Sequence, residues 1–132
     1  LGPKILGVPW LIGLNWFVIV YCSGSFLLQS IELIKNKLKI PLTGATSTTM
    51  VVLGGAAMAT FFDFILEPVA VKLDFWTWNT GDVPLFNYLC WFVVSAVLLR
   101  VNLQLKQVNT HVFASSLLII QAAFFILLNL FL

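Results

Sequence analysis

The sequence predicts an all-α fold: a polytopic transmembrane helical bundle with four spans, forming a single transmembrane domain over residues 1–132. Hydrophobic residues make up 61% of the chain and charged residues only 9%. In a typical soluble domain about a quarter of the residues are charged, because the surface faces water. The chain also contains uncharged stretches of about 20 residues, the length that crosses a bilayer. Its folded surface must therefore face lipid.

The four predicted spans are uncharged or nearly uncharged runs, at about residues 8–31, 42–67, 83–100 and 112–132. The first ends before Glu32, and the third, the shortest, ends at Arg100. The second is uncharged as far as Phe62 and then carries two carboxylates, after which Pro68 is expected to kink or end the helix. Its middle is rich in glycine and alanine, which let helices approach closely in lipid. We therefore expect the second helix to lie at the centre of the bundle.

The distribution of basic residues predicts the orientation in the membrane. With four spans, the first and third connections lie on the same side, and they carry Lys35, Lys37, Lys39, Arg100 and Lys106. The opposite side carries only Lys4 and Lys72. Because cytoplasmic connections carry an excess of Lys and Arg, the first and third connections are predicted to be cytoplasmic.

Composition argues against several other classes of function. A net charge of +2 without a basic stripe gives no reason to expect a nucleic-acid partner. Cys22 and Cys90 lie in apolar runs, where a thiol behaves as a small hydrophobic group. His111 has no neighbouring His or Cys, so no metal site is predicted, and without a nucleotide-binding fingerprint we expect no cofactor. The sequence begins without an initiator Met or a signal-peptide pattern, so we expect a fragment with further helices before Leu1.

Asp63 and Glu67, at the end of the second span, are the candidate catalytic residues. Four residues apart on an α-helix, they share one face. A charged carboxylate at the centre of a bilayer costs about 3 kcal/mol on insertion scales, so such residues usually face the protein interior and have a function. Mutual repulsion and a low dielectric favour a protonated state of at least one of them, which suits general acid–base catalysis. The structural alternative is that Glu67 is solvated at the helix end and Asp63 pairs with Lys72.

Aromatic and amide side chains in the next segment are candidates for the same site. Trp76 and Trp78 either belong to an interfacial aromatic belt or stabilise a nearby cation through their ring faces. Asn87 and Trp91 lie one turn apart at the start of the third span. An amide inside a membrane helix needs a partner, such as a carboxyl group of the second span.

Three motifs have counterparts in a known family: Asp63-x-x-x-Glu67-Pro68, Trp76-x-Trp78 and Pro84-x-x-Asn87-Tyr88-x-x-Trp91. Over about residues 1–100 the chain resembles the carotenoid-biosynthesis membrane family that contains bisanhydrobacterioruberin hydratase and γ-carotene 1′-hydratase. The opening is similar to a mid-chain helix of that family, through Leu1-Gly2-Pro3-Lys4, Gly7-Val8-Pro9 and Asn15-Trp16.

The resemblance implies an activity: addition of water to the terminal double bond of an acyclic carotenoid end, through a tertiary carbocation. For this chemistry we expect Asp63 to be the acid and Glu67 to share the proton or position water, and the question of which carboxylate is the proton donor stays open. The implied cation-shielding residues are Trp76, Trp78 and Trp91, with Asn87 holding a carboxyl group or the water. The implied partners are a carotenoid substrate, the lipid bilayer and other carotenoid-pathway enzymes. The implied location is a bacterial or archaeal cell membrane.

Three alternatives stay open at the level of sequence. A lycopene-cyclase-like isomerase would protonate the same kind of double bond, but the polyene rather than water would capture the cation. A proton-coupled membrane carrier would use Asp63 and Glu67 as a proton relay, although no internal repeat of the kind found in carriers is evident. A non-catalytic assembly subunit is the third alternative.

Overall fold

A computed structural model of the chain describes residues 4–5, 8–78 and 81–132. The described part contains four helices: α1 (Trp10–Leu38), α2 (Gly44–Lys72), α3 (Leu85–Gln104) and α4 (Val112–Phe131). A short antiparallel pairing of β1 (Lys4–Ile5) with β2 (Val8–Pro9) precedes them. All four helices are long and apolar enough to cross a membrane. The predicted fold class is therefore confirmed, whereas Leu1-Gly2-Pro3 and Gly7 of the opening motif lie outside the described residues.

The helix ends differ from the ends of the uncharged runs. α1 begins at Trp10 rather than Val8, because a residue before proline prefers extended backbone and Pro9 follows Val8. It also continues beyond Glu32 to Leu38. Charged residues mark the end of the stretch that lies in lipid, but the helix itself can continue because Glu, Lys and Leu are good helix formers. α1 is thus 29 residues long, about 43 Å at 1.5 Å per residue, which exceeds the roughly 30 Å of a hydrocarbon core.

Pro68 does not end α2, which continues to Lys72. A proline in a helix removes one backbone hydrogen bond, and in membrane helices side chains of neighbouring helices commonly bond to the backbone near it. Here Asn129 of α4 donates from Nδ2 to the carbonyl oxygen of Ile65, at 2.7 Å. Of the two expected effects of Pro68, a kink or the end of the helix, the second does not occur, and α4 supports the helix at that point.

α2 is the central helix, as its small residues predict, because it packs against the other three helices and forms the two most extensive helix contacts, those with α3 and α1. The tightest packing lies at Leu99 of α3, which is fully buried. A Cβ atom added at Gly24 of α1 would lie 2.5 Å from Leu99 Cδ2, and one added at Gly55 of α2 would lie 2.7 Å from Leu99 Cδ1. Glycine at both positions therefore allows three helices to meet around one leucine side chain.

Polar contacts hold the α3–α4 connection against α1. The buried hydroxyl of Ser25 donates to the carbonyl oxygen of Asn109 at 2.6 Å and accepts from the backbone N–H of His111 at 3.2 Å. Ser115, in the first turn of α4, donates to Gln29 Oε1 at 2.8 Å. His111 thus takes part in a structural contact through its backbone.

The outward faces of α3 and α4 are apolar. Phe86 of α3 is 73% exposed, and Phe113 and Phe131 of α4 are 78% and 85% exposed. Contiguous exposed apolar surface of this kind marks an interaction with membrane or protein. It is the surface that a membrane-spanning bundle presents to lipid.

Candidate active site

A cavity of about 520 Å³ lies at the end of the bundle where α2 ends and α3 begins. All six candidate residues from the sequence line it: Asp63, Glu67, Trp76, Trp78, Asn87 and Trp91. The remaining lining residues are Ile12, Asn15, Trp16, Leu66, Asp74, Phe75 and Thr77. The fold therefore brings together residues from α1, α2, α3 and the α2–α3 connection around one space.

The two carboxyl groups form one wall of this cavity. Asp63 is 5% exposed and Glu67 is 2% exposed, and they lie one turn apart on α2. Glu67 is therefore not solvated at the end of a helix, because α2 continues past it. Asp63 contacts Asn87, whereas the side chain of Lys72 is exposed. These contacts contradict the structural alternative for the pair.

Asn87 connects α3 to the carboxyl pair. Its Nδ2 donates to Asp63 Oδ2 at 3.2 Å, so the amide–carboxyl contact expected from the sequence is present. Asn87 lies in the first turn of α3, where its backbone N–H donates to the carbonyl oxygen of Pro84 at 2.9 Å. Pro84 is the N-cap residue, so the start of the helix sets the position of the amide relative to Asp63.

Trp76 and Trp78 both donate hydrogen bonds to Glu67. Trp76 Nε1 lies 2.8 Å from Glu67 Oε1, and Trp78 Nε1 donates to the same oxygen. Because Glu67 is almost fully buried, water does not compete freely for this oxygen. The two indoles therefore fix the orientation of the carboxyl group, a contact that neither an aromatic belt nor cation shielding predicts.

The end of α2 directs the connection back over the cavity. The backbone N–H of Phe75 donates to the carbonyl oxygen of Ala70 at 2.9 Å, and that of Asp74 donates to Val71 at 3.2 Å. This is the Schellman pattern of helix ends, whose turning residue takes the left-handed conformation. Asp74 occupies that position with a φ of 55°. The chain reverses there, which brings the following tryptophans to Glu67.

Sequence reasoning did not assign Asn15 and Trp16 of α1 to the site. Trp16 is buried, and its ring lies against that of Trp91 with centroids 4.3 Å apart. Asn15 Oδ1 accepts a hydrogen bond from Gln121 Nε2 of α4 at 3.3 Å. An amide inside an otherwise apolar span is the signal that could have identified this part of α1.

The arrangement suits proton transfer in a space shielded by aromatic rings. Two buried carboxyl groups share one wall, four tryptophans lie around them, and the exposed Asp74 and Thr77 form a polar rim. Within the described residues, no group of three or more His, Cys, Asp or Glu could hold a metal ion. The neighbouring carboxyl groups of Asp63 and Glu67 are of the kind that general acid–base chemistry uses.

Comparison with known proteins gives a match to a protein family. A family model described as carotenoid biosynthesis protein matches residues 1–132. No curated protein and no solved structure matches the chain significantly. The match over the whole chain and the four apolar helices identify the chain as a membrane protein of the carotenoid biosynthesis protein family.

Proposed function

We propose that the chain is a carotenoid hydratase that adds water to the terminal double bond of an acyclic carotenoid end group. The observation that carries this proposal is the buried pair of Asp63 and Glu67 on one wall of a cavity ringed by tryptophans. The reaction needs an acid, a base and protection of a carbocation, and these side chains supply all three. No redox group takes part, because hydration changes no overall oxidation state.

In the first step, Asp63 gives its proton to the CH carbon of the terminal double bond. The electron pair of that bond forms the new C–H bond, which leaves a positive charge on the carbon that bears two methyl groups. The indole rings of Trp76, Trp78 and Trp91 face the cavity in which this cation forms, and a cation over an indole face is stabilised by about 0.5–2 kcal/mol.

In the second step, a water oxygen bonds to the cationic carbon and loses one proton to a carboxylate. Glu67 is placed to take or share that proton, since its own orientation is fixed by two indole N–H groups. Asn87 holds Asp63 through its amide. The net change is addition of one water molecule, which yields a tertiary alcohol. Return of the proton from Glu67 to Asp63, one turn away on α2, restores the acid for the next cycle.

The polar rim favours hydration over cyclisation as the fate of the cation. Asp74 and Thr77 are exposed and line the cavity, so water can enter the cavity from the end of the bundle. A cyclase of the lycopene type requires water to be kept away until the polyene closes the ring. The tight packing at Leu99, below the cavity, also argues against a carrier, which needs a path through the bundle.

The location and the partners of the protein follow from the same proposal. The resemblance in the motifs supports a bacterial or archaeal cell membrane, with the α1–α2 and α3–α4 connections in the cytoplasm. The substrate reaches the site from the bilayer, because long isoprenoids are insoluble in water. Other carotenoid-pathway enzymes in the same membrane are the expected suppliers of that substrate.

The test is the source of the product oxygen. Membranes containing the full-length protein are incubated with an acyclic carotenoid in heavy-oxygen water, without oxygen gas or nucleotides. Hydration predicts a tertiary alcohol that carries the heavy oxygen. A ring-closed product without oxygen would instead assign a cyclase, and a requirement for oxygen gas would exclude both.

Substitution of the carboxyl groups assigns the chemistry to the site. Asp63→Asn and Glu67→Gln are nearly isosteric, yet neither amide can exchange a proton as a carboxyl group does, so loss of product with normal membrane insertion is expected. Glu32→Gln is the matched control, because Glu32 is an exposed carboxylate of α1 outside the cavity. Product at the wild-type level from Asp63→Asn or Glu67→Gln would remove that residue from the mechanism.

A further inference from the structure

α1 and α3 run side by side and separate towards the cavity. At Gly24 the two helices touch so closely that an added Cβ atom would lie 2.5 Å from Leu99 Cδ2. Eight residues nearer the cavity on each helix, two indole rings lie between them, those of Trp16 and Trp91. Between the same two helices, a glycine and a leucine therefore pack at one level, and two tryptophans pack eight residues closer to the cavity.

One turn further, the gap between the two helices becomes the cavity itself. Ile12 of α1 and Asn87 of α3 line the cavity, and each lies four residues before the tryptophan of its own helix. The gap between α1 and α3 therefore widens like a wedge, from the contact at Gly24 and Leu99, past the pair of indole rings, to the cavity. Its floor is the Trp16–Trp91 pair.

The cavity is too short along the helix axes to hold the whole length of a long isoprenoid. On each helix the lining residues span a single turn, such as Ile12 to Trp16 on α1, which corresponds to about 6 Å of rise. A volume of about 520 Å³ is in the range of pockets that hold drug-sized molecules, roughly 300–1,000 Å³. Only the end of a long isoprenoid can therefore enter, while the remainder stays in the bilayer.

The open side of the wedge faces lipid. α2 forms the wall with the carboxyl groups, and Phe75 to Trp78 of the α2–α3 connection cover the space. Gly13 lies on the same face of α1 as Gly24, eleven residues nearer the cavity, and a Cβ atom added there would meet nothing within 4 Å. Phe17 of α1 and Val94 of α3, which flank the indole pair, are 47% and 42% exposed. Apolar side chains border the gap between α1 and α3, whereas the polar rim lies at the end of the bundle.

We propose that the isoprenoid end enters sideways from the bilayer between α1 and α3, and that Trp16 sets the depth at which its terminal double bond stops beside Asp63. The chemistry in this proposal rests on the proposed function, whereas the entry route does not. Trp16 is a specificity-determining residue, since it limits how far the chain end can pass.

Trp16 can be substituted without creating a new unsatisfied polar group. Its indole nitrogen is buried and has no hydrogen-bond partner within the described part of the chain. Packing against Trp91 therefore holds the ring in place. A hydrophobic replacement removes the floor and leaves no donor or acceptor stranded, which is the costly outcome of most polar deletions.

The entry route is tested by blocking it. The full chain, with Cys22 and Cys90 replaced by alanine, is placed in lipid nanodiscs and receives either Gly13→Cys, in the gap between α1 and α3, or the control Leu14→Cys. Leu14 is 54% exposed on the same helix and does not line the cavity. Each protein is labelled with a bulky apolar maleimide, and binding of an acyclic carotenoid is followed by quenching of tryptophan fluorescence.

Labelled Gly13→Cys is expected to lose most of the quenching, and labelled Leu14→Cys to keep it. Equal quenching in the two labelled proteins would show that the route lies elsewhere. This readout requires no turnover. If the label abolishes quenching but the protein makes no tertiary alcohol, the entry route is supported and the proposed hydration is refuted. If the protein makes the alcohol and the label has no effect on quenching, the entry route is refuted and hydration is supported.

The floor is tested by comparing Trp16→Leu with Trp10→Leu, which removes an exposed tryptophan of the same helix. Trp16→Leu is expected to keep binding but lower kcat roughly a hundredfold, the cost of a misplaced reacting group. Trp16→Phe, which keeps a ring at the floor, should recover much of that loss. Wild-type kcat in Trp16→Leu would overturn the assignment.

Discussion

Replacing Trp76 and Trp78 with phenylalanine separates two roles that these residues could have. Phenylalanine keeps an aromatic face for a cation but removes the indole N–H that bonds to Glu67 Oε1. If the rings alone matter, Trp76→Phe and Trp78→Phe retain nearly full activity. If Glu67 is positioned by the indoles, both variants lose activity although the cavity stays aromatic.

The expected magnitude follows from the burial of Glu67. A hydrogen bond to a charged group contributes about 1.5–3 kcal/mol, and Glu67 is only 2% exposed, so solvent cannot easily replace a lost donor. Converted to rate, that range corresponds to roughly 10- to 150-fold in kcat. A single variant keeps the second donor and should lie near the lower limit, whereas the double variant should approach or exceed the upper one.

The assay is kcat and KM for hydration of an acyclic carotenoid by the protein in nanodiscs. KM should change little, because the lost bonds go to Glu67 rather than to substrate. Trp10→Phe is the matched control, since Trp10 is exposed and lies outside the cavity. If Trp76→Phe, Trp78→Phe and the double variant all turn over at the wild-type rate, the positioning of Glu67 by indoles is refuted and ring shielding remains.

Two further predictions concern the fold. In a protein without Cys22 and Cys90, Asn36→Cys should react with a membrane-impermeant reagent only from the cytoplasm and Leu73→Cys only from outside, and the reverse pattern would invert the topology. Gly24→Ala should destabilise the protein by about 1–3 kcal/mol through overpacking against Leu99. Gly13→Ala, whose added Cβ meets nothing within 4 Å, should not, and equal midpoints of thermal unfolding for the two variants would contradict the packing at Leu99.

The sequence predicted the membrane spans well because charge is so costly in lipid. It predicted helix ends poorly, since α1 and α2 continue past charged residues and past Pro68. Hydropathy reports where lipid ends, whereas helix ends depend on capping and on contacts with other helices. The contact of Asn129 with the carbonyl of Ile65 is such a case, because it joins residues far apart in the chain.

In the candidate site, too, some features follow from local sequence and others depend on contacts between distant parts of the chain. The pairing of Asp63 with Glu67 follows from helical periodicity, and the need of Asn87 for a carboxyl partner follows from the cost of an unpaired amide. The donation of two indoles to Glu67 depends on how the chain reverses after α2. The contribution of Trp16 depends on the register of α1 against α3. Neither follows from local sequence.

The continuation of α2 past Pro68 is what makes the site complete. If the helix ended at Glu67, that carboxyl group would lie at a solvated helix terminus and the reversal at Asp74 would not occur where it does. Instead, α2 extends to Lys72, the Schellman turn reverses the chain, and the segment that follows covers Glu67 with Trp76 and Trp78. The contact from α4 at Ile65 supports this helix between the two carboxyl groups. The burial and orientation of the carboxyl pair therefore depend on the end of α2, which lies beyond both residues. For this reason neither property can be predicted from the sequence of the membrane span alone.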